Sequence, residues 1–217
     1  MPRLPRRVFS LIAAAIVGVS LAGACSAVAR PNPSSACNGA DEQSAPRFYP
    51  DLEALLPARV GAQALSSVRS GRYCSAQTLG SLDAAGIHEL QFAGGALPDP
   101  ANKGAGMALV VYRAQGMTLD QLANAQANGA GNTQGATGVV AERTAIEGHP
   151  GIRIDVTVES GPEMMFFWPT RIPGTYDAVT GIGESEAQVR SAVAAFGTIV
   201  AAKQSSAASA APGSPIP

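Results

Sequence analysis

The chain has 217 residues, 46% hydrophobic but only 5% aromatic, with 24 glycines and 16 prolines. A chain of that size and make-up holds one ordinary core rich in turns, and hardly two. Its formal net charge is −1, and two of its 15 basic residues are lysines, Lys103 and Lys203; beyond the N-terminal segment no Lys/Arg cluster offers a phosphate backbone a footing, so no nucleic-acid partner is expected.

Residues 1–7 are short and basic through Arg3, Arg6 and Arg7, residues 8–22 are almost wholly apolar, and small residues follow. That is the order of a signal peptide, and a run of about 15 apolar residues falls short of the roughly 20 that span a bilayer. Residues 1–24 are therefore expected to be removed, which takes the net charge from −1 to −4 with the loss of the three arginines. Leu21-Ala22-Gly23-Ala24-Cys25 resembles the lipobox of bacterial lipoproteins, with Ala22 at the usual leucine position and Leu21 displaced by one. The resemblance implies that Cys25 is acylated and becomes the new N-terminus, so that a lipid holds the protein on the outer face of a bacterial cell membrane. Ordinary cleavage after Ala24 or Ala29 is the alternative, and it yields a soluble secreted protein.

The three cysteines are an odd number for a compartment in which thiols pair. With the lipid on Cys25, Cys37 and Cys74 remain for a disulfide, whose closure of a loop of roughly 37 residues stabilises by about 4 kcal/mol in the chain-entropy model. A Cys25–Cys37 bridge, or free thiols, would leave a cysteine unexplained. Residues 25–47 carry Ser, Pro, Asn and Ala with hardly a large apolar side chain, which predicts a flexible tether reaching roughly 25 Å. Residues 48–204 are expected to form the folded domain. Residues 205–217, rich in Ala, Ser and Pro, are expected to be a disordered tail.

Leu52, Leu55 and Leu56 are spaced as on a short helix that Pro57 ends. Residues 65–73 suit a strand of weak alternation, and residues 75–85 a short helix capped by Ser75 with Leu79 and Leu82 on one face. Residues 90–93 are a second strand candidate, and the apolar run 107–113 a buried strand. Thr118 and Gln121 have capping-box spacing at the start of a helix that turns Leu119 and Leu122 inward. Residues 127–138, full of Asn, Gln, Gly and Ala without periodicity, read as a long mobile loop.

Residues 152–159 alternate strictly, four β-branched residues on one face and polar residues on the other, as in a strand with one wet side. Residues 139–146 precede it across Glu147-Gly148-His149-Pro150-Gly151, read as a hairpin connection; residues 164–168 and 176–180 continue an antiparallel meander. Ser185 and Gln188 mark a last helix, with Val189, Val193, Phe196 and Val200 on its inward stripe. The expected class is α+β, an antiparallel sheet with helices packed on it in a single layered domain.

Residue sets that carry chemistry are sparse. A nucleophilic serine or Cys74 would need His88 or His149 as its base, and neither histidine has a supporting context: His149 falls in the expected turn, His88 at a helix-to-strand junction. No Cys/His spacing suits zinc, no metal or cofactor is implied, and Gly104-Ala105-Gly106 and Gly181-Ile182-Gly183 read as turn glycines rather than phosphate loops. Asp155 and Glu159, read on one strand face, would stand roughly 13 Å apart, too far for a glycosidase pair. If residues 164–168 form a strand, half of that apolar stretch points away from the core. Met164, Phe166 and Trp168 then either line a binding surface for an apolar ligand or partner, or lie under a covering helix.

Leu52-Glu53-Ala54-Leu55-Leu56-Pro57 followed by Val60-Gly61, with the Glu147 to Gly151 turn and the closing helix, resembles extracytoplasmic lipoproteins of GC-rich bacteria to which no activity is attached. The layout is also similar to PsbP-like lipoproteins of mycobacterial envelopes, which implies a binding or assembly role. The function expected is thus that of a non-enzymatic envelope lipoprotein, whose partners are the membrane through its lipid and an envelope protein or an apolar small ligand. A secreted hydrolase using His88 or His149 is one alternative, and a structural accessory subunit of an envelope complex the other.

Overall fold

A computed structural model describes residues 32, 34–37, 42, 44–102 and 104–209, with side chains described as far as residue 197. The expected signal peptide, Cys25 and the last eight residues lie outside the described residues. The elements run, in chain order, β1 Ser44–Ala45, α1 Pro50–Glu53, β2 Arg59–Val60, β3 Gln63–Ala64, β4 Ser66–Tyr73, α2 Ala76–Leu79, α3 Ser81–Ala84, β5 Leu90–Pro98 and β6 Gly106–Arg113. They continue with α4 Leu119–Gly131, β7 Thr137–Ile146, β8 His149–Val158, β9 Gly161–Pro169, β10 Thr175–Ile182 and α5 Glu186–Ser209.

Eight strands form one large, open antiparallel sheet in the order β1-β4-β5-β6-β10-β9-β8-β7, and β2 and β3 make a separate short ribbon. The sheet is two meanders joined edge to edge. After β6 the chain passes through α4 to the far edge, starts again at β7 and returns strand by strand until β10 pairs with β6, from Thr175 opposite Arg113 to Ile182 opposite Gly106. The expected meander of β7 to β10 is present, and the strands before α4 belong to the same sheet.

Side-chain alternation sorts the core into two clusters. On one face Leu109, Val111, Phe166 and Val179 gather with Leu52 of α1 and Val193 of α5. On the other, Tyr112, Ile154 and Phe167 gather with Leu79 of α2, Leu82 of α3 and Leu122 of α4. A buried hydrogen-bond chain seats α1: the Tyr49 amide donates to Ser70 Oγ at 2.6 Å, and that hydroxyl donates to Glu53 Oε1 at 2.8 Å.

Several elements differ from their sequence reading for identifiable reasons. The helix expected over residues 75–85 is two four-residue helices, because Gly80 at φ 55° breaks the ladder between them. The loop expected from residue 127 is helical to Gly131, since Ala127 and Ala130 are small enough to pack against the sheet cluster. His149 stands in β8 and not in a turn: the hairpin closes on Glu147 and Gly148 alone, at φ 51° and 79°, the backbone of a tight two-residue connection. Residues 205–209, expected in a disordered tail, continue α5; Ala207 and Ala208 carry the lowest helix cost, and neither Gly nor Pro occurs in that stretch.

The expected tether also touches the body. Cys37 is bonded to Cys74 with their Cα atoms 5.6 Å apart. The Arg72 guanidinium donates to the carbonyl and hydroxyl of Ser35, and Ser44–Ala45 pair with Gly71 and Ser70 of β4. Glu42 receives the amides of Cys74 and Ser75 and the Thr78 hydroxyl, and so holds the start of α2. Burial acts to raise the Glu42 carboxyl, but the hydrogen bonds from Ser75, Thr78 and Cys74 outweigh it and leave the pKa below the usual value.

Candidate functional site

The sheet face that carries α2, α3 and α4 holds a cleft of about 1330 Å³. One wall is the run from Gln77 to Leu82 across the two short helices, and the opposite wall is the C-terminal half of α4 with the turn after it. The floor is the sheet, through Leu90, Val158, Met165 and Ile182. The break at Gly80 and the small residues of α4 create this space. Two four-residue helices cannot cover the sheet as one long helix would, and Ala125, Ala127, Gly129 and Ala130 bring little side-chain volume to the gap.

Two polar side chains are built into the cleft where apolar ones would be expected. Gln126 follows Leu122 by four residues and Ala123 by three, so it falls on the inward stripe of α4. It is 5% exposed, and its Nε2 has no hydrogen-bond partner. Glu163 alternates with Met165 and Phe167 on the inner side of β9, flanked across the sheet by Val156 and Ile182. It is 7% exposed, and its removal from water raises its pKa above the usual carboxylate value. A buried donor without an acceptor and a desolvated carboxylate each cost stability, so such groups are retained where something other than stability uses them.

The remaining electrostatics are one-signed. Of the described residues that line the cleft, none is Lys, Arg or His, while the exposed Glu159 adds a second carboxylate to that of the buried Glu163. Arg153 shares a smaller hollow with Glu163, but Asp155 and Glu186 already engage its guanidinium at 2.7 and 3.2 Å. Tyr73 also lines the cleft, stacked on Phe92 with ring centroids 4.7 Å apart. Burial first, and the negative charge of Glu42 second, push its phenol up to about 12.

The residues singled out from sequence lie elsewhere. Met164, Phe166 and Trp168 share one side of β9, on the face opposite the cleft, and are 8%, 0% and 1% exposed. Phe166 stacks on Trp168 with centroids 5.2 Å apart, and Phe196 of α5 meets Trp168 edge-on at 5.3 Å. α5 covers them, so they are core and present no binding surface. His88 is exposed and bonded to Asp83 at 2.8 Å; His149 stands with its ring 5.5 Å from Trp168. Neither histidine borders the cleft. Asp155 and Glu159 do not share a strand face either. β8 ends at Val158, so Glu159 turns into the cleft while Asp155 stays with Arg153 in the smaller hollow.

Gln126 and Glu163 were the residues that sequence reasoning missed, although each left a signal, a polar residue at a position whose spacing calls for an apolar one. No protein-family profile and no curated protein matches this sequence.

Proposed function

We propose that this protein is a lipid-anchored extracytoplasmic lipoprotein whose layered α+β domain binds a small amphipathic ligand without turning it over. The observation that carries the reading is the cleft, with the partnerless Gln126 amide and the desolvated Glu163 carboxyl set into largely apolar walls. Small-molecule sites have this make-up, mostly apolar with a few placed polar groups, and range over about 300–1,000 Å³. A cleft of about 1330 Å³ has room for a lipid-sized occupant.

A concave site favours a binder over an accessory subunit, which would present a broad flat apolar patch. The large hydrophobic side chains exposed among the described residues are Val139, Val140 and Ile172. The position of the cleft fits the proposed anchor. Thr78, in the cleft wall, is bonded to Glu42, and Cys37 is bridged to Cys74 next to that wall. The flexible tether that composition predicts between Cys25 and Cys37 would reach about 20 Å and keep the cleft close to the membrane surface.

Two measurements test this reading. Intact-mass spectrometry of protein extracted from membranes should give a chain that begins at an acylated Cys25, and a free N-terminus at an unmodified Cys25 or at Arg30 would sink the anchor. A thermal-shift screen with envelope lipids should find compounds that raise the melting temperature, and those shifts should be lost when Ala127→Trp fills the cleft. Shifts that survive the filled cleft would place binding elsewhere.

A further inference from the structure

The charge and hydrogen-bond inventory of the cleft narrows what it accepts; this step rests on the reading of the cleft as a ligand site. Among its described lining residues the only formal charges are the carboxylates of Glu159 and Glu163. Glu163 is 7% exposed, and none of the described residues that line the cleft is basic; Arg153, which shares the smaller hollow with it, is committed to Asp155 and Glu186. An anionic head group would enter against two like charges, one of them the buried Glu163, where repulsion is screened less than at the open surface. A cationic one would supply the missing counter-charge. Gln126 adds an independent requirement: its buried Nε2 is a donor, so the occupant must bring an acceptor within reach of α4. Leu79, Leu82, Val158 and Met165 offer the rest of the molecule an apolar bed.

We propose that the cleft takes an amphiphile with a protonated amine head, the ammonium donating to the Glu163 carboxylate, a neighbouring hydroxyl or carbonyl oxygen accepting from Gln126 Nε2, and the hydrocarbon part lying along Leu79, Leu82 and Met165. Anionic amphiphiles of the same length are excluded by the unopposed carboxylates.

The test uses the chain from residue 26, without Cys25 and its lipid, and three twelve-carbon probes below their micellar concentrations: dodecylamine, dodecyl sulfate and dodecyl maltoside. Binding is followed by isothermal titration, with the near-ultraviolet circular dichroism of the buried aromatic residues reporting that the fold persists. Dodecylamine should bind at least about tenfold more tightly than either other probe, and Glu163→Gln should remove at least about tenfold of that affinity while leaving dodecyl maltoside unchanged. 1-Aminododecan-2-ol, a twelve-carbon amine with a hydroxyl on the neighbouring carbon, should exceed dodecylamine, and Gln126→Leu should erase that advantage. If the sulfate or the maltoside binds as well as the amine, or if Glu163→Gln leaves the amine's affinity intact, the head-group assignment is wrong although the cleft remains a ligand site. If no probe binds, the ligand-site reading itself falls and takes the assignment with it.

Discussion

Asp177 shows how a single side chain can set the pH response of this fold. It stands on β10 between Val111 and Trp168 of the neighbouring strands, and its Oδ1 is buried with no hydrogen-bond partner. Burial lifts its pKa from 3.8 to about 7. The folded carboxyl therefore keeps its proton through a range in which the unfolded one has lost it, so the native state binds more protons between those values. Stability should fall as pH rises through that window and be lowest above 7, the ionised form costing on the order of 4 kcal/mol. Asp177→Asn removes the titration while keeping the shape. Urea unfolding at pH 5 and pH 8 should show a marked loss for the wild type and a much flatter response for the variant, and equal slopes would refute the assignment. Gln126 offers a second test at this scale. Gln126→Leu deletes a partnerless buried donor from the inward stripe of α4, and should stabilise the empty protein by about 1 kcal/mol in urea. A variant less stable than wild type would mean that the Gln126 amide is satisfied in solution. Both positions carry a polar residue in an apolar register, so the anomaly could be seen in the sequence. Its meaning could not, because spacing does not tell a cleft wall from a sealed core.

Elements were readable where a local rule sets them. Thr118 accepts from the Gln121 amide while the Gln121 side chain receives the Thr118 amide, and Ser185 and Gln188 repeat the arrangement, as their spacing predicts. Strand β4 was faint for a local reason of another kind. Its register shifts between Ser66 and Arg69, and Ser67 lies at φ 54°, so a bulge breaks the alternation that a strand is recognised by. The far half of α4 was hidden because its helicity comes from packing on the sheet, while its Asn, Gly and Gln content argues for a loop. The β7–β8 hairpin carries a residue the turn does not favour. Glu147 at φ 51° precedes Gly148 at 79°, a conformation in which Asn-Gly is preferred. Glu147→Asn should raise stability by about 0.5–1 kcal/mol in urea, since the strain it relieves exceeds the exposed 3.4 Å pair with Arg190 that it gives up. A destabilised variant would show that the Arg190 pair outweighs the backbone strain.

At the scale of the whole molecule, the pairing of β10 with β6 joins two meanders that are each locally evident, and no short stretch of sequence announces it. Register between strands about 70 residues apart is decided by which apolar faces match after collapse. The Cys37–Cys74 bond is the long-range feature that cysteine arithmetic did anticipate, and its consequence reaches further than a staple. It closes a loop spanning 37 residues of separation that includes β1, α1 and β4. It also holds Glu42 where its carboxylate accepts the Ser75 amide just before α2 and grips the Thr78 hydroxyl, so one covalent bond supports both the entry of the chain and a wall of the cleft. Replacing both cysteines by serine should lower stability by about 4 kcal/mol if the effect lies in the unfolded chain. Freed of the bond, Ser35 and Glu42 are still held by their contacts with Arg72 and with Cys74, Ser75 and Thr78, and the chain through Arg47 should open more often than the sheet behind it. Trypsin should then cleave after Arg47 at least several times faster in the double variant than in the wild type, well below the unfolding transition. Cleavage at the wild-type rate, together with an undiminished urea midpoint, would mean that β1 and the Glu42 contacts hold the segment without the disulfide.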